Sequence, residues 1–366
     1  MQDWAIHFTS DGLALSPAEY SRLLARLAEE DGIAADEFSL GGAVARLELQ
    51  MAALLGKETA IFMPSGTLAN HLAVRLLAQC GRRVLVQRES HLYSDTGDCA
   101  QELSGLTLVP LAAGRASFTL DEVIAEAARA EESRVSTPIG AISIESPVRR
   151  CSGEVFDHAE MQRITRYARE RGVGLHLDGA RLFLATPYTG IAPVAYAASF
   201  DTVYVSLYKY FNAAAGAVLA GPRHLLDGLY HQRRMFGGGL RQAWPYAAVA
   251  LHYLDGFAER FAQAATAADM LFRALGELPG VRVMRSAAST NVTHISICGV
   301  AAASLPERLR AHKILIRPPR LAASTEAEFK LVVNETIMRR PVDQIIAAFV
   351  DAIGRSGDRL GAAAAD

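Results

Sequence analysis

The stretch GVGLHLDGARLF, residues 172–183, decides the fold. A short apolar run, Val173 to Leu177, stops at Asp178 and is followed at once by Gly179, Ala180 and Arg181. A continuous apolar run, rather than an alternating one, suits a strand covered by helices on both faces. In parallel α/β sheets, ligands gather at the carboxyl ends of strands, in the loops entering the next helix. Asp178 stands at such an end. It and Arg181 form either a salt bridge or two separately aimed ligands, and the rest of the chain has to choose.

Outward from this stretch, between about residues 43 and 222, short apolar strands alternate with helical patterns. Strands are expected in the apolar stretch before Pro64 and at Val84–Val86, Leu106–Leu111, Ala141–Ile144, Gly174–Leu177, Thr202–Val205 and Ala217–Ala220. The pattern predicts an α/β fold: a large domain over residues 41–250, with a mostly parallel seven-stranded sheet covered by helices on both faces. After residue 250 the texture changes. Phe257, Phe261, Ala265, Ala268 and Phe272 outline a helix, and strand-like pieces follow at Val281–Met284, Asn291–Ile297, Ile314–Ile316 and Phe329–Val333. A last amphipathic helix uses Val342, Ile345, Ile346, Phe349 and Ile353, with Pro341 suited to its first turn. This is a smaller α+β domain over residues 251–358. Residues 1–40 are expected to join it in part, and residues 359–366 to form a disordered tail.

The 366 residues are 51% hydrophobic and 21% charged, with a net charge of −2. This is ordinary for a soluble globular protein and gives no electrostatic case for nucleic acid or an anionic membrane. No apolar run approaches the length of a membrane span, and the start lacks a signal-peptide pattern. Cys80, Cys99, Cys151 and Cys298 show no metal-ligand spacing, so reduced, mostly buried thiols and no metal site are expected. The expected location is cytoplasmic, and the expected partner a small, near-neutral ligand.

Three polar features occupy strand ends. Ser65-Gly66-Thr67 lies between a strand and a helix, where two hydroxyls and free amide donors suit a phosphate dianion. Taken alone, one hydroxyl is better read as a helix cap. Lys209, in TVYVSLYKYFNAAAGAV, follows a strand; partly desolvated, such a lysine forms a Schiff base, although a surface lysine is the commoner case. Asp178 beside a pyridine nitrogen would keep that nitrogen protonated and make the ring an electron sink. Phosphate cradle, ring-nitrogen acid and Schiff-base lysine, in that chain order, form a pyridoxal-phosphate constellation. Neither GxxxxGK[ST] nor GxGxxG after a strand is present, which disfavours nucleoside triphosphates and nicotinamide cofactors.

FMPSGTLAN, LHLDGARLF, SLYKYFNAAAGAVLAGP and MFGGGLRQA, in this order, resemble the threonine aldolase and β-eliminating lyase family, whose members have the aspartate-aminotransferase-type fold. The match is good over roughly residues 37 to 245. The resemblance implies pyridoxal 5'-phosphate as cofactor, Lys209 as its lysine, Asp178 as ring-nitrogen partner and Arg181 as ligand of the substrate carboxylate. It assigns Ser65, Gly66 and Thr67 to the phosphate, and His91 to stacking on the ring and to proton transfer. Arg241 becomes a phosphate ligand, often supplied by a neighbouring subunit, which implies a homodimer or homotetramer with active sites near the interface. His176, on the same strand face as Asp178, reads as a hydrogen-bonding support for it.

Four departures cluster on the substrate side. Ser10, in HFTSDGLALSP, lacks the threonines usual there; it is either a substrate-carboxylate contact or a turn residue. Val148, in ESPVRR, replaces an expected second histidine, and Asp95 replaces an aromatic residue four positions after His91. Lys330 stands where a second carboxylate-binding arginine is expected; a point charge there replaces a bidentate fork. The leading expectation is a lyase cleaving a β-hydroxy-α-amino acid, threonine-like or bulkier, into glycine and an aldehyde, through a Schiff base and a quinonoid intermediate. The alternative is an α,β-elimination lyase, aminotransferase or racemase acting on another small amino acid. A degenerate binding protein is disfavoured by the retention of Lys209 and Asp178.

Overall fold

The computed structural model describes residues 5–30, 32–79, 81–298, 304–319 and 326–354. The chain divides into a larger unit, Leu15–Asp255, and a smaller one combining Met1–Ala14 with Gly256–Asp366. Residues 15–40 therefore belong to the larger unit. The tail at 359–366 and Cys80 lie outside the described residues.

The larger unit holds seven strands: β1 Thr59–Met63, β2 Arg83–Gln87, β3 Thr107–Leu111, β4 Ile139–Glu145, β5 Gly174–Asp178, β6 Thr202–Ser206 and β7 Ala217–Gly221. Their order in the sheet is β1-β7-β6-β5-β4-β2-β3. β7 is antiparallel to both its neighbours, and the other adjacent pairs are parallel. All seven apolar runs read from the sequence are strands of this one sheet.

Among its helices are α1 Pro17–Glu30, α2 Gly42–Leu55, α3 Gly66–Ala78, α4 His91–Ser94 and α5 Trp244–Leu254. α3 positions the site. Ser65 caps it, its hydroxyl accepting the Leu68 N–H at 3.2 Å. Gly66, Ala69, Asn70, Ala73, Val74 and Leu77 are buried at helical spacing, so one stripe faces the sheet and packs across β4, β5, β6 and β7. Two glycines permit this close seat. A Cβ at Gly174 would lie 2.7 Å from Leu77 Cβ, and one at Gly140 2.1 Å from the Gly81 carbonyl. Elsewhere, Leu23 and Leu27 of α1 cluster with Ala248 and Val249 of α5.

In the smaller unit, β8 Val281–Met284, β9 Val292–Cys298 and β10 Glu326–Val332 form an antiparallel sheet in the order β10-β9-β8. Helix α6 Phe257–Gly276 packs on β8 and on α7 Val342–Gly354. The piece expected at Ile314–Ile316 joins a different partner: Ile314 and Leu315 pair in parallel with Ile6 and His7. Asn334 Nδ2 ties down that N-terminal segment, donating to the carbonyls of His7 and Ser10 at 2.7 Å each. Among the described residues no helix is long and apolar enough to cross a membrane, and no group of three His, Cys, Asp or Glu is placed to hold a metal ion. Cys99 and Cys151 are half-buried and Cys298 is exposed, so these thiols are less buried than expected.

Candidate active site

Parallel strands bring their carboxyl ends to one edge, and the polar residues follow. Glu145 ends β4 and is the register partner of Asp178, which ends β5; Asp178 in turn pairs with Tyr204 of β6. Ser206 ends β6, with Lys209 three residues on. The Ser65–Thr67 loop leaves β1, and His91 opens α4 just after β2.

The carboxylate of Asp178, 2% exposed, accepts from Asn70 Nδ2 at 2.5 Å and from the Ala180 N–H at 3.1 Å. It does not pair with Arg181. Asn70 Oδ1 lies 2.9 Å from His176 Nε2, and His176 Nδ1 lies 2.8 Å from Thr202 Oγ1. Because an ionised carboxylate only accepts, Asn70 turns its NH2 to Asp178 and its carbonyl to His176. The His176 proton therefore sits on Nε2, and Nδ1 accepts from the Thr202 hydroxyl. Burial pushes His176 down to about 4, which keeps the ring neutral. His176 supports Asp178 through Asn70 rather than directly.

Asn70 Nδ2 is also 3.5 Å from Nδ1 of His91. The His91 ring is held below its ordinary value, by burial first; Asp178 opposes this and Lys209 adds to it. Its backbone N–H donates to Glu145 Oε2 at 2.5 Å, while Glu145 Oε1 accepts the Arg149 N–H at 3.0 Å. Gln87, ending β2, grips the Glu145 backbone: its Nε2 donates to the carbonyl at 2.7 Å and its Oε1 accepts the N–H at 2.9 Å.

Burial, then Asp178, pushes Glu145 up to about 7 from an ordinary 4.5. The folded state thus keeps a proton that the unfolded chain releases. The stability this confers is complete below the unfolded value and is lost as pH rises through the folded one. Glu145→Gln should remove that slope, so the variant's Tm gains on the wild type between about pH 5 and pH 8. A pH-independent Tm difference would overturn the assignment.

Lys209 is half-buried, its Nζ 5.2 Å from the Tyr208 ring centroid and 6.0 Å from that of Tyr204. Ser206 Oγ is buried and makes no hydrogen bond of good geometry, although it bears on the Tyr204 phenol as a hydrogen-bonding neighbour. Gly66 is pressed against Tyr204: a Cβ there would meet Oη at 2.1 Å. The N-terminal turn of α3, capped by Ser65 and bare of a side chain at Gly66, is a fit for a phosphate group.

Arg241 is 72% exposed; its side chain pairs with Glu37 at 3.2 Å and lies over the Phe38 ring, touching none of the other expected ligands. Ser10 and Lys330 belong to the smaller unit. The Ser10 hydroxyl donates to the Gly12 carbonyl at 3.1 Å, as a turn residue does, and half-buried Lys330 stands opposite His294 in the β9–β10 ladder. Val148 is fully buried. Asp95, one turn beyond His91, accepts from Arg149 Nη2 at 2.6 Å and from Arg150 Nη2 at 2.7 Å. Burial would raise its carboxyl, but hydrogen bonds from Arg150 and Arg149 outweigh this and hold it at about 2.

Asn70, Gln87 and Ser206 are absent from the reading of the sequence. Asn70 left one signal, a polar side chain at a core position of the α3 stripe. Ser206 left another, a hydroxyl ending an otherwise apolar strand three residues before Lys209.

The chain belongs to the beta-eliminating lyase family, whose sequence profile matches residues 8–298. It is 30% identical over 213 residues to a low-specificity L-threonine aldolase of Candida albicans, covering 57% of this chain and 56% of that protein. With the Escherichia coli K12 low specificity L-threonine aldolase it shares 29% over 266 residues, 72% of this chain and 78% of the other. The Candida and Saccharomyces cerevisiae relatives are thus matched over only 56% and 58% of their lengths. Among solved structures, a Listeria monocytogenes protein provisionally assigned as an L-allo-threonine aldolase aligns over 97% of both chains, with TM-score 0.81 and 26% identity. Leishmania major threonine aldolase, at 17% identity and TM-score 0.74, shares the fold.

Proposed function

We propose that the protein is a pyridoxal-phosphate-dependent aldehyde-lyase that cleaves a β-hydroxy-α-amino acid, threonine-like or bulkier, into glycine and an aldehyde. The observation that carries this reading is the gathering of Lys209, the Asp178–Asn70–His176 chain and His91 at one edge of the sheet. The names of the relatives support the reaction class.

The residues present fit the cofactor. Ser65, Gly66, Thr67 and Ser206 would hold its phosphate, Lys209 would hold it covalently, and Asp178 would meet its ring nitrogen. When bound, the cofactor supplies an electron sink for the pair left on Cα. The chain's own side chains do the rest. Asn70 donates to Asp178 and fixes its orientation. Arg181 holds the substrate carboxylate. His91, kept neutral, accepts the β-hydroxyl proton as the Cα–Cβ bond breaks. Val148 offers no proton acceptor, so this task falls on His91 alone.

His91→Phe keeps a flat ring and removes its nitrogens. The expected loss is about 100-fold in kcat, with cofactor affinity retained. In the wild type, protonation removes the acceptor, so the kcat profile should show an acid limb below the ordinary imidazole range that vanishes in the variant. The same limb persisting in His91→Phe would sink the assignment.

The replacement of a histidine by Val148 favours one second reading: α,β-elimination, transamination or racemisation, with the Lys209 amine taking the Cα proton. Product analysis separates the two. Incubation with threonine, allo-threonine, phenylserine and serine should yield glycine and an aldehyde; a keto acid with ammonia would overturn the aldol reading. We also read the protein as a homodimer or homotetramer. Support comes from exposed Arg241, paired with Glu37, and from two exposed apolar side chains nearby in sequence: Met235, six residues before Arg241, and Leu40, three residues after Glu37. An active species of 39.3 kDa in light scattering would overturn it.

A further inference from the structure

Two of the four departures on the substrate side meet in space. We propose that Arg149, Asp95 and Arg150 form an anion subsite at the rim of the site, and that it selects substrates whose β-substituent carries a carboxylate. The inference rests on the aldol reading above and names the substrate class within it.

Both ends of the cluster are anchored to His91. The Asp95 N–H donates to the His91 carbonyl at 2.9 Å, one helical turn on. The Arg149 N–H and the His91 N–H share the two oxygens of Glu145. The Asp95 carboxylate and the Arg149 guanidinium both act electrostatically on the His91 ring, and Arg181 acts on Glu145. Two arginines therefore bear on Glu145, Arg181 through its charge and Arg149 through its backbone N–H. Arg181 is already read as the ligand of the α-carboxylate; the Arg149 cluster lies beside the group that takes the β-hydroxyl proton.

The charges do not cancel. Within the trio two cations share one anion, an excess of +1, and Glu89 acts on Arg150 in addition. Arg150 clamps Asp95 with Nε at 3.3 Å and Nη2 at 2.7 Å, whereas Arg149 commits one Nη2. The Arg149 side chain is 47% exposed, so further guanidinium donors face solvent. Buried Val148 beside them supplies no hydrogen bond to the β-substituent. A methyl or phenyl group there leaves the excess charge unused; a carboxylate takes it through charge-assisted hydrogen bonds. With β-hydroxyaspartate the reaction balances simply. The β-hydroxyl proton is lost, the Cα–Cβ pair stays on Cα and is protonated there, and glycine and glyoxylate leave.

The test uses the holoenzyme and two readouts. Calorimetry compares succinate, an unreactive dicarboxylate that can engage both arginine sites, with butyrate. Kinetics compares kcat/KM for β-hydroxyaspartate, threonine and phenylserine, scored by glycine released. Succinate should bind about tenfold more tightly than butyrate, and β-hydroxyaspartate should lead threonine by a similar factor. Both advantages should collapse in the Arg149→Met, Arg150→Met double variant. Asp95→Asn should widen them by removing the competing carboxylate, a change that a loosened site does not produce. Equal binding of succinate and butyrate, or an advantage that survives the double variant, would overturn the subsite. Glycine from threonine and phenylserine without any preference refutes the subsite and leaves the aldol reading standing. Tight succinate binding with no glycine from any of the three does the reverse.

Discussion

Lys209→Ala should lose the visible absorbance of the purified protein and about a thousandfold or more of its turnover. The argument rests on position. The larger unit contains only one other lysine, Lys57, whose Nζ donates to the Phe200 carbonyl at 2.5 Å ahead of β1. Lys209 instead follows the carboxyl end of β6, three residues past Ser206 and facing two tyrosine rings. No second amine in this unit is placed to replace it. An absorbance band retained in the variant would refute the lysine assignment, whatever the activity.

Asp178→Asn should separate holding the cofactor from using it. The shape is kept and Lys209 is untouched, so the absorbance should persist. Turnover should fall about 10²–10³-fold, because a neutral amide no longer holds the ring nitrogen in its cationic form. A stability cost follows too. The carboxylate accepts from both Asn70 and Ala180, whereas an amide has one accepting oxygen, so one buried donor loses its partner. That costs about 1–3 kcal/mol, measurable as a shift in the urea midpoint. Full turnover in Asp178→Asn would refute the ring-nitrogen role.

Much of this was legible in the sequence, for a physical reason. Strands covered on both faces must be apolar, so polar residues at their ends stand out, as Asp178 and Lys209 do. Parallel strands then bring such ends together without any knowledge of order. What the sequence hides is contact across the order. Asn70 and Asp178 are separated by 108 residues, and each reads as an ordinary polar residue until α3 lies over β5. Glu145 gains its meaning from a register partner on the next strand. Asp95 and Val148 look like separate losses, yet the fold joins Asp95 to the two arginines that follow Val148. Ile314 and Leu315 were legible as a strand, but their partner, the N-terminal segment, was not.

The close seat of α3 has a mechanical consequence. The helix is a rigid rod about 20 Å long, with the Ser65–Thr67 loop at its start, Asn70 one turn in and Leu77 at its far end. Leu77 rests on Gly174 at the opposite end of the very strand that Asp178 terminates. A methyl group at Gly174 would act as a wedge under one end of a lever. The tilt would move the phosphate loop and the partner of Asp178 together, so a change remote from the chemistry would misalign both ends of one ligand at once.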